Sequence, residues 1–96
     1  MKIIPLDGGL ANSNQKFSAQ LGDWFCEFRL FIFESGIWNL DMYRDGELVV
    51  AGAVLTPNAD IFSTYPDLKM GRLVLVGEEP TIDNLGSANS LVWVDV

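Results

Sequence analysis

The stretch Ile37-Trp38-Asn39-Leu40-Asp41-Met42-Tyr43-Arg44-Asp45-Gly46-Glu47-Leu48-Val49-Val50-Ala51 decides the fold class of this chain. Over residues 37–43 the apolar Trp38, Leu40 and Met42 alternate with the polar Asn39 and Asp41. A strand with this pattern turns the first three inward and the other two to solvent. Asp45-Gly46 then separates it from Leu48-Val49-Val50-Ala51. An acid-glycine pair between two apolar runs is the strongest local mark of a hairpin, because the tight turn needs positive φ and glycine adopts it without steric cost.

The same period continues towards the N-terminus. Residues 24–33 send Cys26, Phe28, Leu30 and Ile32 one way and Phe25, Glu27, Arg29, Phe31 and Phe33 the other. Gly22-Asp23 makes a short turn before them, and residues 15–21 alternate Phe17, Ala19 and Leu21 with Lys16, Ser18 and Gln20. Gly36 and Gly52 mark bends or bulges, where a missing side chain lets the strand kink. Towards the C-terminus the alternation dissolves over residues 56–70, where Thr56-Pro57-Asn58-Ala59-Asp60 starts one helical turn that Pro66 stops. Arg72-Leu73-Val74-Leu75-Val76 is nearly all apolar and predicts a central strand covered on both faces. Residues 90–94 form the last strand and residues 2–6 an opening one. The expectation is an all-β chain forming a single domain over residues 1–96. It has about seven or eight mostly antiparallel strands, in a small sandwich or barrel, and at most one short helical turn near 58–65.

Composition narrows the function. With 96 residues, 49% of them hydrophobic, the chain can fill one core. Six basic residues against 13 acidic ones give a formal charge of −7, the wrong sign for sequence-specific nucleic-acid binding. No apolar run approaches the roughly 20 residues of a membrane-spanning helix, and the N-terminus lacks a signal-peptide pattern, so synthesis in a cytoplasm is the expectation. Cys26 is the single cysteine, which excludes an internal disulfide and a thiolate metal cluster and reads as a small core residue.

Candidate chemistry is thin. There is no histidine to act as general base or metal ligand, and no Gly-x-Ser-x-Gly turn or Walker glycine cluster. No serine has a spacing that links it to Lys2, Lys16 or Lys69. Paired carboxylates from Asp23, Glu27, Asp41 and Asp83 would suit a glycosidase, but 13 acids on one small domain produce close pairs by chance and read as a solvated surface. Glu78-Glu79 and Asp83-Asn84 offer oxygen ligands without the spacing of a calcium loop, so turn chemistry explains them. No catalytic residue, metal or cofactor is expected. Trp38 and Trp93 lie on apolar alternations and belong in the core. Trp24, Phe25, Phe31 and Phe33 share a strand whose second face is too aromatic to be wholly wet, so either a second sheet or another protein covers it.

Read in order, several segments resemble the small baseplate plug proteins of contractile-tailed phages and related prophages, the cyanophage baseplate plug among them. These are Lys2-Ile3-Ile4-Pro5-Leu6, Asn14-Gln15-Lys16-Phe17-Ser18, residues 38–43 with Asp45-Gly46, and Leu55-Thr56-Pro57 leading to Asp60-Ile61 and Tyr65. Gly71-Arg72-Leu73 follows, and Asp83-Asn84-Leu85-Gly86 is the most specific match, a structural turn of that family. The resemblance implies a non-enzymatic structural component of the virion's tail baseplate, docked among tail-tube, hub and wedge proteins; the short apolar runs add the expectation of no membrane insertion. The residues then expected to touch partners are Trp24, Phe25, Phe31 and Phe33, with Phe62 and Tyr65 from the loop. The competing reading is a carbohydrate-binding sandwich that uses Trp24 as a stacking platform beside Asn39 or Asp41.

Overall fold

Seven strands follow one another in the computed structural model, which describes residues 1–95. They are β1 (Lys2–Ile4), β2 (Asn14–Leu21), β3 (Trp24–Ile32), β4 (Trp38–Arg44), β5 (Glu47–Val54), β6 (Arg72–Gly77) and β7 (Asn89–Val94). Four of them form an antiparallel meander in the order β2-β3-β4-β5, and the other three form an antiparallel sheet in the order β1-β7-β6. Two separate sheets around one shared core make a sandwich rather than a closed barrel.

The local signals explain the meander. Arg44 pairs with Glu47, so Asp45 and Gly46 are the two central residues of the hairpin, with φ of 51° and 87°. Positive φ at both positions is what a type I′ turn requires. Asp45 also fastens the hairpin to the neighbouring strand: its N–H donates to Phe25 O at 2.9 Å, and Phe25 N–H donates to Asp45 Oδ1 at 3.2 Å. In β5 the register against β4 slips near Gly52, and the Gly52 N–H there donates to Asp41 Oδ1 at 2.7 Å. Gly52 is therefore a bulge, whereas Gly36 lies in the β3–β4 turn.

Alternation fills the core from both sheets. The four-stranded sheet contributes Leu21, Cys26, Phe28, Leu30, Trp38, Leu40, Met42 and Val50, and the other sheet Ile4, Leu73, Leu75, Leu91 and Trp93. Each large apolar side chain buried in this way contributes ~1.5–3 kcal/mol against full exposure. Both buried indoles place their N–H: Trp38 Nε1 donates to Thr81 O at 3.0 Å and Trp93 Nε1 to Met70 O at 2.6 Å.

Some expectations need correction. The Arg72–Val76 run is not central: β6 is the outer strand of its sheet, and β7 lies in the middle. Bridges from Pro57 to Leu75 and from Asp60 to Val74 cover the free edge of β6, but its second face is not buried as expected: Arg72 is exposed, Val74 half-buried and Val76 47% exposed. β1 stops at Ile4, before Pro5, whose missing N–H ends the ladder. The helical turn near 58–65 is the 3-10 turn Ile61–Thr64, capped by Asp60 Oδ1 accepting from Phe62 N–H. Two more stand at Leu10–Asn12 and Pro66–Leu68. Pro66 thus opens a turn as well as closing one, because the first helical position lacks a partner for its N–H anyway. Asn39, expected in solvent, is only 5% exposed, with Nδ2 donating to Ile37 O.

Candidate docking surface

The second face of β3 is covered by no sheet. Its side chains pair across the meander as Lys16–Arg29–Asp41 and Ser18–Glu27–Tyr43, with Phe31 between Asn14 and Asn39. Phe25 is 47% exposed and Phe33 56%. Phe31 is half-buried and packs edge-to-face on Phe33, with ring centroids 5.4 Å apart. The Arg29 guanidinium lies over the other aromatic neighbour, its Cζ 4.7 Å from the Phe31 ring centre. Arg29 Nε also donates to Asn14 Oδ1 at 3.3 Å, and its Nη1 stands 3.9 Å from Asp41 Oδ2. An arginine held over one ring of an aromatic pair, with a carboxylate and an amide beside it, is a surface already ordered before contact, so less side-chain freedom remains to be lost on binding. Beside it runs a groove of about 530 Å³ lined by Lys16, Ser18, Glu27, Arg29 and Tyr43.

The remaining sequence candidates go elsewhere. Phe62 is 4% exposed and spends its ring in the core. Tyr65 and Trp24 are half-buried against the core, so neither presents a free ring. For Phe62 this corrects the expectation of an exposed anchor: the loop after β5 folds onto β6 and turns its aromatics inward. For Trp24 it removes the flat exposed platform that sugar stacking requires. Ile37, Val54 and Leu48 are exposed apolar residues that the aromatic pattern did not single out. The break at Ser35-Gly36 is the sequence signal for Ile37, whereas the edge position of β5 that exposes Leu48 and Val54 is visible only in the sheet order.

The four carboxylates do not gather at one site, although Glu27 and Asp41 are diagonal neighbours on one face of β3 and β4. Asp23 sits in the β2–β3 turn at the end where Trp93 approaches Gly22, whereas Asp83 lies in the β6–β7 loop at the opposite end. Asp41 stands across from Arg29, and Glu27 across from Tyr43. Among the described residues no three Cys, Asp or Glu side chains are grouped as a metal site would need. The Cys26 thiol is pushed up to about 11 by burial and, secondarily, by the charge of Asp45, which makes it a poor nucleophile.

The Asp83-Asn84-Leu85-Gly86 turn is structural in detail. Asn84 Oδ1 accepts from Thr81 N–H at 2.7 Å, its Nδ2 donates to Glu79 O at 3.0 Å, and its carbonyl accepts from Ser87 and Ala88 N–H. Leu85 is buried, and Gly86, at φ 85°, lies so close to Leu6 that a Cβ would collide with the Leu6 carbonyl oxygen. Gly9 N–H completes the clasp by donating to Ile82 O at 2.6 Å. Local amide chemistry, rather than a bound cation, accounts for every one of these contacts.

A search among curated proteins matches none to this chain. A protein-family comparison does: the family described as "Cyanophage baseplate Pam3 plug gp18" matches residues 1–96. With the all-β sandwich and the ordered turn at residues 83–86 already in place, that match over the whole length leads to one conclusion: the chain belongs to the family of cyanophage baseplate plug proteins.

Proposed function

We propose that this protein is a non-enzymatic structural part of a phage or prophage tail baseplate, a single domain made in the bacterial cytoplasm. It acts by docking to tail-tube, hub or wedge proteins. The observation that carries the reading is the outer face of β3, where exposed Phe25 and Phe33 flank an Arg29–Phe31 stack on a sheet that already has a complete core on its other side. Aromatic and arginine side chains are the residues that dominate binding energy at protein interfaces. Proton-transfer chemistry finds little support: the chain has no histidine, and its one thiol is buried.

The test is the double substitution Phe31→Ser and Phe33→Ser in the phage, with the purified protein melted in parallel. The expected result is loss of tail assembly with a melting midpoint close to that of the parent. Normal assembly by a stably folded double variant would remove this face from the interface.

A further inference from the structure

The turn over residues 33–37 and the loop over residues 78–88 meet at one end of the molecule. Trp38 Nε1 donates to Thr81 O there, and a cleft of about 160 Å³ is lined by Ile37, Val54, Pro57, Glu79 and Pro80 among others. Beside Phe33, Ile37 is 46% exposed and Val54 52%, so the end carries an apolar centre. Glu79 lines the cleft, Glu34 follows Phe33 in the turn, and Glu78 and Asp83 belong to the same loop as Glu79; all four are exposed. Neither segment contains a lysine or arginine.

One cation borders this end: Arg29, whose guanidinium lies over the Phe31 ring that packs on Phe33, stands 3.9 Å from Asp41 and faces Lys16 on the outer strand β2. The other cations lie elsewhere. Lys2, opposite Trp93, and Arg72, opposite Val94, belong to the far end, as do Arg44 beside its hairpin turn and Lys69 next to Met70. Among the described residues no ion pair joins a lysine or arginine to Glu34, Glu78, Glu79 or Asp83, whereas Arg29 pairs with Asp41.

These facts constrain what covers the apolar centre. A surface closing over Phe33, Ile37 and Val54 strips water from the carboxylates around them, and a stripped carboxylate is costly unless a cation meets it. A second copy of this chain would set four more carboxylates against these, and a nucleic acid would bring phosphates. We infer that this end docks a protein whose contact surface rings an apolar patch with lysine or arginine side chains. The inference rests on the reading of the chain as a docking component of the baseplate and names the chemistry of one partner. The formal charge of −7 would also speed encounter with such a partner.

Baseplates purified from phage carrying Glu34→Lys with Glu79→Lys test it against baseplates carrying Asp23→Lys with Asp67→Lys. The latter pair makes the same change in net charge at exposed acids far from this end. The expected result is at least a tenfold drop in incorporation of the first variant and near-parental incorporation of the second, with both chains melting like the parent. Carbodiimide treatment of parental baseplates, which joins carboxylates to amines in contact, is expected to link Glu34 or Glu79 to a lysine of a neighbouring protein. Parental incorporation of the first variant overturns the inference, and so does an equal drop in both, which marks a net-charge effect. Absence of the parental chain from purified baseplates overturns the docking reading itself.

Discussion

Gly36 and Gly86 have the same φ of 85°, yet only one is crowded, and that pairing separates two physical costs. A Cβ on Gly36 meets nothing within 4 Å, whereas one on Gly86 runs into the backbone of Leu6 and lies 3.3 Å from its Cβ. An L-residue held in the left-handed region costs ~1–2 kcal/mol, partly offset by ~0.4–1 kcal/mol from the stiffer unfolded chain. Gly36→Ala is therefore expected to lose about 1 kcal/mol of folding stability. Gly86→Ala carries the same conformational cost and must also push residues 6–9 off the loop. That adds ~1–3 kcal/mol of overpacking and puts at risk the Gly9–Ile82 hydrogen bond, worth about 1 kcal/mol. Its expected loss is about 3–4 kcal/mol. Urea unfolding of the parent and both variants, with unchanged dependence on denaturant, measures the difference directly. Losses that agree within about 0.5 kcal/mol would refute the idea that the 83–86 turn is a close-packed clasp on the N-terminal segment.

Three further outcomes follow from the same structure. Asp60→Ala removes the acceptor shared by Phe62 N–H and Leu73 N–H, both at 3.0 Å, and is expected to cost about 1–3 kcal/mol in a denaturant melt. An Asp60→Asn variant, which keeps an acceptor oxygen, should recover most of that loss. The unfolded Cys26 thiol loses its proton near pH 9 and the folded one near about 11, so between these values the unfolded chain has shed a proton that the folded chain keeps. Stability therefore falls as pH rises through this window, by ~1.4 kcal/mol per pH unit, and the gap between the parent and Cys26→Ala melts should narrow there; parallel curves would disprove it. Leu40→Ala, at a fully buried position, is expected to lose ~2–5 kcal/mol, against under ~1 kcal/mol for Leu48→Ala at the exposed β5 edge.

The aromatic face shows where a local pattern stops being informative. Alternation over residues 24–33 correctly divides Cys26, Phe28 and Leu30 from Phe25, Glu27 and Arg29, because successive side chains in a strand point opposite ways whatever the rest of the molecule does. It does not say whether anything lies over the second face, since that depends on where the other sheet goes. Phe62 makes the same point from the other side. In sequence it is an aromatic in a loop, and only the docking of residues 57–60 on the free edge of β6 buries it. Asn39 reads as an outward residue and is covered all the same, beside Phe31 and Val54 in the register.

Strand identity, the Asp45-Gly46 turn and the inward set of the meander were thus determined by the sequence alone, for they depend on contacts between residues near each other in the chain. The division of seven strands into two sheets, the outer place of β6 and the gathering of Glu34, Glu79, Ile37 and Val54 at one end were decided by tertiary structure. Those arrangements join segments tens of residues apart, and the free energy that selects among them comes from a shared core, which no short stretch of sequence contains.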